Sequence, residues 1–341
     1  MTTPEQGPID PADQPGSVEE AGSKPVRQRD GLIPNIGELS KARLNMMVLG
    51  TTAVGFALAR QDLPAMQLFW TLAGTGLSAA SAGMLNQLVE TERDRRMDRT
   101  KERPLPSGLV SPKAVFALGV VLAYGGPCIL ALKVNGISAM LALANIMIYI
   151  LVYTPLKPRT TLNTLVGAIC GAIPPMIGWC AASGRLEPGA WLLGTLLFIW
   201  QLPHFFALAV LYRDDYERGG FRMLPVVDLR GEITVQVILV TSLILIPIGM
   251  GATILGITGG TSAICALILG LLMSVLAFRL YQQRTRVAAR RVFLSSLAYL
   301  PIMLGVMVFD GRPGVAEMTL PVEPMPSGNP HEGLLDGVLG P

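Results

Sequence analysis

The feature that most constrains this chain is a series of nine long apolar segments that are nearly free of charged residues. A membrane-spanning helix needs about 20 predominantly apolar residues, and each segment meets or approaches that length. Backbone polar groups in lipid must be satisfied within the segment, so apolar runs of this length predict helices. The segments are 44–60, 64–87, 114–132, 138–156, 164–183, 189–212, 233–256, 260–281 and 292–310.

Composition supports a membrane protein. Only 15% of the residues are charged and 51% are hydrophobic, whereas about 25% of residues are charged in soluble domains. The net charge of +3 comes with no basic stripe interleaved with aromatic residues, so we expect no nucleic-acid partner. The sequence therefore predicts an all-α membrane protein, a bundle of nine transmembrane helices.

Lysine and arginine predict the orientation of the bundle. The N-terminal tail and every second connection after it carry 5, 7, 2, 4 and 5 of the 27 Lys and Arg residues, with Arg279 at the end of the eighth segment counted in the last of these, and each of the other connections has at most one. The positive-inside rule then predicts a cytoplasmic N-terminus and a C-terminus on the outer side. We expect the protein to lie in a bacterial cell (inner) membrane.

The two ends of the chain differ from the middle. Residues 1–40 and 311–341 are rich in proline and polar residues, and segments that cannot bury enough apolar surface stay disordered. The predicted organisation is a disordered N-terminal tail over 1–40, a nine-helix domain over 41–310 and a flexible C-terminal tail over 311–341.

A polar stripe follows the second apolar segment. Asn86, Glu90, Asp94 and Asp98 recur every four residues, and on a helix such side chains lie on one face. Polar groups near the end of a membrane span are costly and usually functional, and Mg²⁺ prefers oxygen ligands together with water and substrate phosphates. The alternative is a solvated helix end in which neighbouring arginines neutralise the carboxylates.

A second acidic cluster, at Asp214 and Asp215, follows the sixth segment, and the predicted topology places it on the same side of the membrane. Adjacent carboxylates repel one another and usually need a cation nearby. Two acidic sites flanked by arginine suit a diphosphate held by Mg²⁺ between two helices, with metal and cations stabilising the leaving group. An ordinary acidic loop with balancing arginines is the alternative.

Three further residues have open interpretations. Lys157 and Arg159 follow the fourth segment on the same predicted side, where they either bind diphosphate or only set the topology. His204 lies well inside an apolar segment, and an ionisable residue there is a functional hypothesis by default. It is a base, a haem ligand or a packing anchor, or it is a structural histidine hydrogen-bonded to a neighbouring helix.

Several separate blocks resemble the protohaem IX farnesyltransferases, also called haem O synthases, a branch of the intramembrane aromatic-prenyltransferase superfamily. The resemblance covers about residues 44–310. The blocks are Asn86-Gln87-x-x-Glu90-x-x-x-Asp94, Arg99-Thr100-Lys101-x-Arg103-Pro104-Leu105, Tyr153-Thr154-Pro155-x-Lys157, Trp200-Gln201-x-Pro203-His204-Phe205 and Asp214-Asp215-Tyr216.

The resemblance implies nine helices around a central lipid-facing cavity with a cytoplasmic acidic cap. It implies transfer of the farnesyl group of farnesyl diphosphate to a vinyl group of haem B, giving haem O, with Mg²⁺ as cofactor. A downstream haem A synthase or a terminal oxidase assembly is a possible partner by the same implication. The implied catalytic residues are Asn86, Glu90, Asp94, Asp98, Asp214 and Asp215, the implied metal ligands are Asn86, Glu90, Asp94 and Asp215, and the implied substrate-binding residues are Arg99, Arg103, Lys157, His204 and Tyr153, with His204 facing the tetrapyrrole.

Two departures from the superfamily pattern bear on the metal site. Glu90 stands where many members have aspartate. Leu211 occupies the position four before Asp215, so the second motif lacks the fuller DxxxD form, which counts against a second metal ion.

Other functions stay open at this point. The acceptor of the prenyl group could be a quinone precursor or a chlorophyll-like ring. A cation-coupled transporter would use the carboxylates as ion sites, but it often shows an internal repeat and broken helices near the midplane, and no clear repeat is present. A non-catalytic haem-binding subunit would not need two acidic clusters.

Overall fold

The computed structural model describes residues 32–59 and 64–312. Within these residues, nine helices are long and apolar enough to cross a membrane, as the sequence predicts. They are α1 (Ala42–Ala59), α2 (Ala65–Asp94), α3 (Pro112–Lys133), α4 (Gly136–Leu156), α5 (Asn163–Ser183), α6 (Pro188–Leu211), α7 (Glu232–Ile254), α8 (Gly260–Gln283) and α9 (Arg286–Phe309).

The helices follow one another around the bundle, with α5 and α6 at its centre. Successive helices pack side by side, and α5 also packs on α1 while α6 also packs on α9. These two central helices are the most buried of the nine, whereas α4 is the most exposed. The main core cluster is formed by residues of α1 and of α5 to α9, and it contains Leu245, Met273 and Tyr299.

The α1–α5 contact depends on glycine. A Cβ on Gly178 would overlap the carbonyl oxygen of Thr52, and one on Gly55 would overlap the carbonyl oxygen of Pro175. Small residues let membrane helices approach until their backbones are in contact. Van der Waals packing then stabilises the pair, because the hydrophobic effect does not drive helix association within lipid. This approach holds α1 against the centre of the bundle and fixes one wall of the site described below.

Helix α4 contains an irregular turn near its end. Residues Ile148–Tyr153 form a π-helical segment, in which the hydrogen bonds span five residues instead of four. The hydroxyl of Thr154 donates to the carbonyl of Tyr149 at 2.8 Å, so this side chain supplies a hydrogen bond to a backbone carbonyl of the widened turn. Tyr149 and Tyr153 both face the interior of the bundle, where they line a cavity.

The structure corrects the predicted stripe at one position. Helix α2 continues to Asp94, beyond the predicted end at residue 87, but the chain then turns and Asp98 lies outside the helix. The turn buries Met97 in an apolar cluster with Phe221 and Met223. Thr100 Oγ1 also donates to the carbonyl of Asp94 at 2.9 Å, which satisfies a helix-end acceptor.

The predicted N-terminal tail also changes at its boundary. Residues Ile33–Asn35 and Ile36–Leu39 form two short helical segments, and Leu39 is buried in a cluster with Met84 and Val115. The folded part therefore begins before residue 41. The rest of the predicted tails, 1–31 and 313–341, lies outside the described residues.

We expect Gly178→Ala to destabilise the protein, because the added methyl group has no space against the carbonyl oxygen of Thr52. Overpacking of this kind typically costs about 1–3 kcal/mol. The measurement is the thermal unfolding of the detergent-solubilised protein. Gly305→Ala is the matched control, since a Cβ there meets no atom within 4 Å. Equal melting temperatures for Gly178→Ala and Gly305→Ala would contradict the close approach of α1 and α5.

Candidate active site

The three polar residues at the end of α2 form one buried stripe. Asn86, Glu90 and Asp94 lie on successive turns of the same helix, and all three are buried. The sequence spacing therefore predicted this part of the stripe correctly. An isolated buried carboxylate is very costly, so each one needs a partner.

Each carboxylate of the stripe pairs with a cation from elsewhere in the chain. Lys157 Nζ lies 2.8 Å from Glu90 Oε1 and donates to Glu90 Oε2 at 3.0 Å. Arg103 donates to Asp94 Oδ2 at 2.9 Å. Burial lowers the pKa of Lys157, but the charge of Glu90 outweighs it and leaves the pKa raised. The ammonium group of Lys157 therefore stays charged beside the stripe.

Asn86 is held by two partners that together determine the orientation of its amide. Lys41 Nζ donates to Asn86 Oδ1 at 2.7 Å, and Asn86 Nδ2 donates to Thr154 Oγ1 at 3.0 Å. The charged form of Lys41 only donates hydrogen bonds, so the amide oxygen is its matching partner. Thr154 gives its own proton to the carbonyl of Tyr149 and is left to accept. The amide nitrogen of Asn86 therefore faces Thr154, and its oxygen faces Lys41.

Lys41 is a site residue that sequence reasoning missed. It lies directly before α1 with its backbone in the left-handed region, φ 51°, and its side chain lines the cavity. Burial, together with the nearby charge of Lys157, lowers the pKa of Lys41 to about 7. In the sequence Lys41 looks like any cation that flanks a membrane span, so no pattern singled it out.

The two carboxylates of the second acidic cluster point in different directions. Asp215 is buried and pairs with Arg218, which also lies 2.8 Å from Asp98 Oδ2. Asp214 instead pairs with Arg286 at 2.7 Å and is largely exposed. Neighbouring residues on a helix point about 100° apart, which explains why only Asp215 faces the first cluster.

Arginine and tyrosine contacts join the two clusters. The guanidinium of Arg99 lies over the rings of Tyr212 and Tyr216, at 5.0 and 5.4 Å. Arg93 donates to the carbonyl oxygens of Gly219 and Gly220. The end of α2 and the segment after α6 therefore meet at the same end of the bundle, as the sequence predicts.

A cavity of about 240 Å³ lies next to the stripe, between α1, α2, α4, α5 and α6. Its walls are mostly apolar, and Tyr153 and Phe205 contribute aromatic rings. Lys157 Nζ lies 4.7 Å from the centre of the Tyr153 ring, so the cation and the ring connect the charged end to the apolar chamber. The predicted cavity is thus present, and polar groups adjoin it at one end.

His204 lies apart from this cavity. Its Nδ1 is 2.8 Å from Ser296 Oγ, and its ring stacks on Trp200 and Phe293 at 5.2 and 4.9 Å. These contacts place it between α6 and α9, and it is not among the residues that line the cavity. A direct contact with substrate stays a prediction. A hydrogen bond to a neighbouring helix, the structural alternative, is what the described residues display.

The donor atoms suit a magnesium ion that enters with its diphosphate. Among the described residues, no three His, Cys, Asp or Glu side chains gather closely enough to hold a metal ion by themselves. Mg²⁺, however, is commonly bound by one or two carboxylates, with phosphate oxygens and water completing its shell. Glu90 Oε1 is buried and accepts no hydrogen bond of good geometry. This oxygen is in contact with the charge of Lys157 at 2.8 Å, and it lies on the same helix face as a second carboxylate and an amide.

Comparisons with known proteins bear on the chemistry. The UbiA prenyltransferase family matches residues 48–300. A mitochondrial protohaem IX farnesyltransferase from Arabidopsis thaliana is 42% identical over 269 residues, which are 78% of this chain and 62% of that protein. This chain thus spans less than two thirds of the plant protein. A protohaem IX farnesyltransferase from Solibacter usitatus is 40% identical over 288 residues, which are 82% of this chain and 98% of that protein.

A solved structure has the same fold. It is a UbiA homologue from Archaeoglobus fulgidus bound to DMAPP and Mg²⁺, and it superposes with a TM-score of 0.59 at 14% sequence identity. The superposition covers 80% of this chain and 99% of that one. At this identity the likeness concerns the fold of the bundle.

We expect Lys157→Met to lower the free energy of unfolding by about 3–5 kcal/mol, because it leaves the buried charge of Glu90 without its partner. The double variant Lys157→Met/Glu90→Gln should recover part of this loss, since it removes the unpaired charge as well. The measurement is a double-mutant cycle from denaturant titrations in detergent. Lys101→Met is the control, because its pair with Asp98 is exposed and such pairs contribute little. Additive effects of Lys157→Met and Glu90→Gln would show that the pair is not coupled.

Proposed function

Because this chain belongs to the UbiA prenyltransferase family, we propose that it transfers the farnesyl group of farnesyl diphosphate to a vinyl group of haem B, releasing diphosphate and making haem O. One observation carries the proposal: the end of α2 that bears the buried stripe contacts the segment that follows Asp214 and Asp215, and an apolar cavity lies next to it. The named relatives, protohaem IX farnesyltransferases, support haem B as the acceptor.

The chain's own oxygen atoms would hold the cofactor. Asn86, Glu90, Asp94 and Asp215 are the proposed Mg²⁺ ligands, with Asp98 and Asp214 as outer companions. When bound, Mg²⁺ supplies positive charge to the diphosphate as the bond to the farnesyl group breaks. An archaeal UbiA homologue with this fold is bound to DMAPP and Mg²⁺, which supports a metal-dependent prenyl transfer here.

Cations beside the stripe would bind the phosphate oxygens. Lys157 and Arg103 already lie against the proposed metal ligands, and Arg99 is held nearby by two tyrosine rings. Arginine suits this task because its planar group binds phosphate through two parallel hydrogen bonds. Together these residues would stabilise the negative charge that develops on the leaving diphosphate.

The cavity would protect the reactive prenyl group. Loss of diphosphate leaves an allylic, carbocation-like carbon that bulk water would quench, and the apolar walls exclude water. The rings of Tyr153 and Phe205 face this space, and aromatic faces attract cations. The vinyl group of the haem then attacks the carbon that carried the diphosphate. Water then adds to the resulting haem cation and loses one proton to the released diphosphate, which yields the hydroxyethylfarnesyl side chain.

The setting of the enzyme follows from its fold. The chain is a multi-pass membrane protein. We assign it to a bacterial inner membrane, with the N-terminus and the charged end of the bundle in the cytoplasm and the C-terminus outside, on the distribution of Lys and Arg. Haem O released into the bilayer would pass to a downstream haem A synthase or a terminal oxidase assembly.

We expect membranes that contain the protein to convert haem B and farnesyl diphosphate to haem O when Mg²⁺ is present and not when a chelator is added. Mass spectrometry of the extracted haem measures the product. Asp94→Asn should lower the rate by roughly 10²-fold, since it weakens the grip on the leaving group. Prenylation of a quinone precursor instead of haem B would show that haem B is not the acceptor. Activity that persists in the presence of the chelator would show that the reaction does not need Mg²⁺. Cation uptake without product would favour a transporter.

Thr154 provides a test of how Asn86 is oriented. Thr154→Val removes the hydroxyl that accepts from Asn86 Nδ2 while keeping the shape of the side chain. Loss of a group that orients a metal ligand typically costs 10- to 100-fold in metal affinity, so the Mg²⁺ concentration for half-maximal activity should rise by about that factor. Thr154→Ser keeps the hydroxyl and should resemble the wild type. An unchanged Mg²⁺ requirement in Thr154→Val would show that Asn86 needs no such support.

A further inference from the structure

Lys41 places a third cation beside the buried stripe, in addition to Lys157 and Arg103. Its Nζ donates to Asn86 Oδ1 at 2.7 Å, and its side chain lines the cavity. Lys157 and Arg103 each pair with a carboxylate of the stripe, whereas Lys41 forms no salt bridge among the described residues and contacts a neutral amide oxygen instead. The charge of Lys41 is therefore available to an anion that enters the site.

The turn that carries Lys41 is fixed by the helix that carries the stripe. Lys41 has its backbone in the left-handed region, at φ 51°, which is uncommon for a residue other than glycine. Gln87, the residue after Asn86 on α2, donates from Nε2 to the carbonyl oxygens of Glu38 and Leu39, at 3.1 and 2.8 Å. Leu39 is fully buried. Gln87 thus holds the turn just before Lys41 and directs this lysine towards Asn86.

Lys41 and a metal ion compete for the same oxygen atom. Mg²⁺ binds oxygen ligands at about 2.1 Å, so an ion on Asn86 Oδ1 would lie within about 5 Å of the Lys41 ammonium group in its present position. Like charges at this distance repel one another strongly in a partly buried site. Binding of Mg²⁺ to Asn86 therefore requires either that Lys41 moves or that an anion neutralises both cations.

A diphosphate satisfies both requirements. Its oxygens accept strong hydrogen bonds from an ammonium group, and the flexible four-carbon stem of a lysine lets the group change partners. The hydroxyl of Tyr149 already lies 3.5 Å from Lys41 Nζ, so polar contacts are available on the cavity side as well. Lys41 can thus leave Asn86 without leaving the site.

We propose that Lys41 competes with Mg²⁺ for Asn86 Oδ1 and turns to the diphosphate when the two bind together, so that the site takes up metal and diphosphate as a pair and Mg²⁺ alone only weakly. Gln87 is the positioning residue of this lysine. The inference rests on the proposed function for the identity of the anion. The coupling is reciprocal, because a ligand that raises the affinity for a second one is itself bound more tightly in its presence.

The experiment is calorimetric titration of the purified full chain in detergent. One titration uses Mg²⁺ alone, and the other uses inorganic diphosphate in excess Mg²⁺. In Lys41→Met we expect Mg²⁺ alone to bind roughly tenfold more tightly, because the competing charge is gone. Diphosphate should bind roughly tenfold more weakly, because one hydrogen bond from a charged donor is lost. A merely structural role would weaken both affinities.

Three variants accompany Lys41→Met. Lys41→Arg keeps the positive charge and should keep the weak binding of Mg²⁺ alone. Gln87→Leu removes both hydrogen bonds to the turn before Lys41 and should shift the two affinities in the same opposite directions as Lys41→Met, by a smaller factor. Lys113→Met removes an exposed cation at the start of α3, and it should leave both affinities unchanged.

Several outcomes would overturn the assignment. Unchanged affinities in folded Lys41→Met, or a loss of both, would show that Lys41 does not compete with the metal. Equal binding of Mg²⁺ to the wild type with and without diphosphate would do the same, whether or not the variants fold.

The titrations involve neither haem nor prenyl transfer, so they are separate from the test of the proposed function. Opposite shifts in a protein that prenylates no haem would still support the role of Lys41. A wild type that makes haem O but whose Lys41→Met variant lacks these shifts would keep the proposed function and lose the role of Lys41.

Discussion

The charged end of the bundle depends on ion pairs between side chains from different parts of the chain. Glu90 and Asp94 are buried on α2, and their partners Lys157 and Arg103 come from the segment after α4 and the turn after α2. A buried carboxylate is tolerated only with such a partner. These ion pairs therefore hold the segments of the chain together. They also place two cations beside the carboxylate oxygens of Glu90 and Asp94, which suit a metal ion. Stability and anion binding use the same groups.

The apolar chamber and the charged end complement each other. Charges at the end of a span remain near water, whereas the walls between α1, α2, α4, α5 and α6 offer few polar atoms. A substrate with a charged head and a long apolar tail matches this division. The contact at Gly178 holds α1 and α5, two of the helices that line this chamber, at backbone distance from each other.

Hydropathy predicted all nine helices because the cost of unsatisfied backbone groups in lipid leaves few alternatives. The four-residue spacing predicted Asn86, Glu90 and Asp94, because the helix continues through them. The same spacing was wrong for Asp98, because the helix ends before it. That end depends on the burial of Met97 against residues more than a hundred positions later in the chain. The partners of the charged side chains could not be predicted from the sequence, for the same reason. Nothing local indicates that Asp214 pairs with Arg286 or that Lys41 meets Asn86.

The π-helical segment Ile148–Tyr153 amounts to one residue inserted into an otherwise regular α4. Deleting a single residue there would restore ordinary helical winding and rotate everything that follows by about 100°. Thr154 would leave Asn86, and Lys157 would leave Glu90. The one extra residue in this turn thus determines the direction in which Thr154 and Lys157 point. A deletion or insertion here would therefore disturb the site more than most side-chain substitutions.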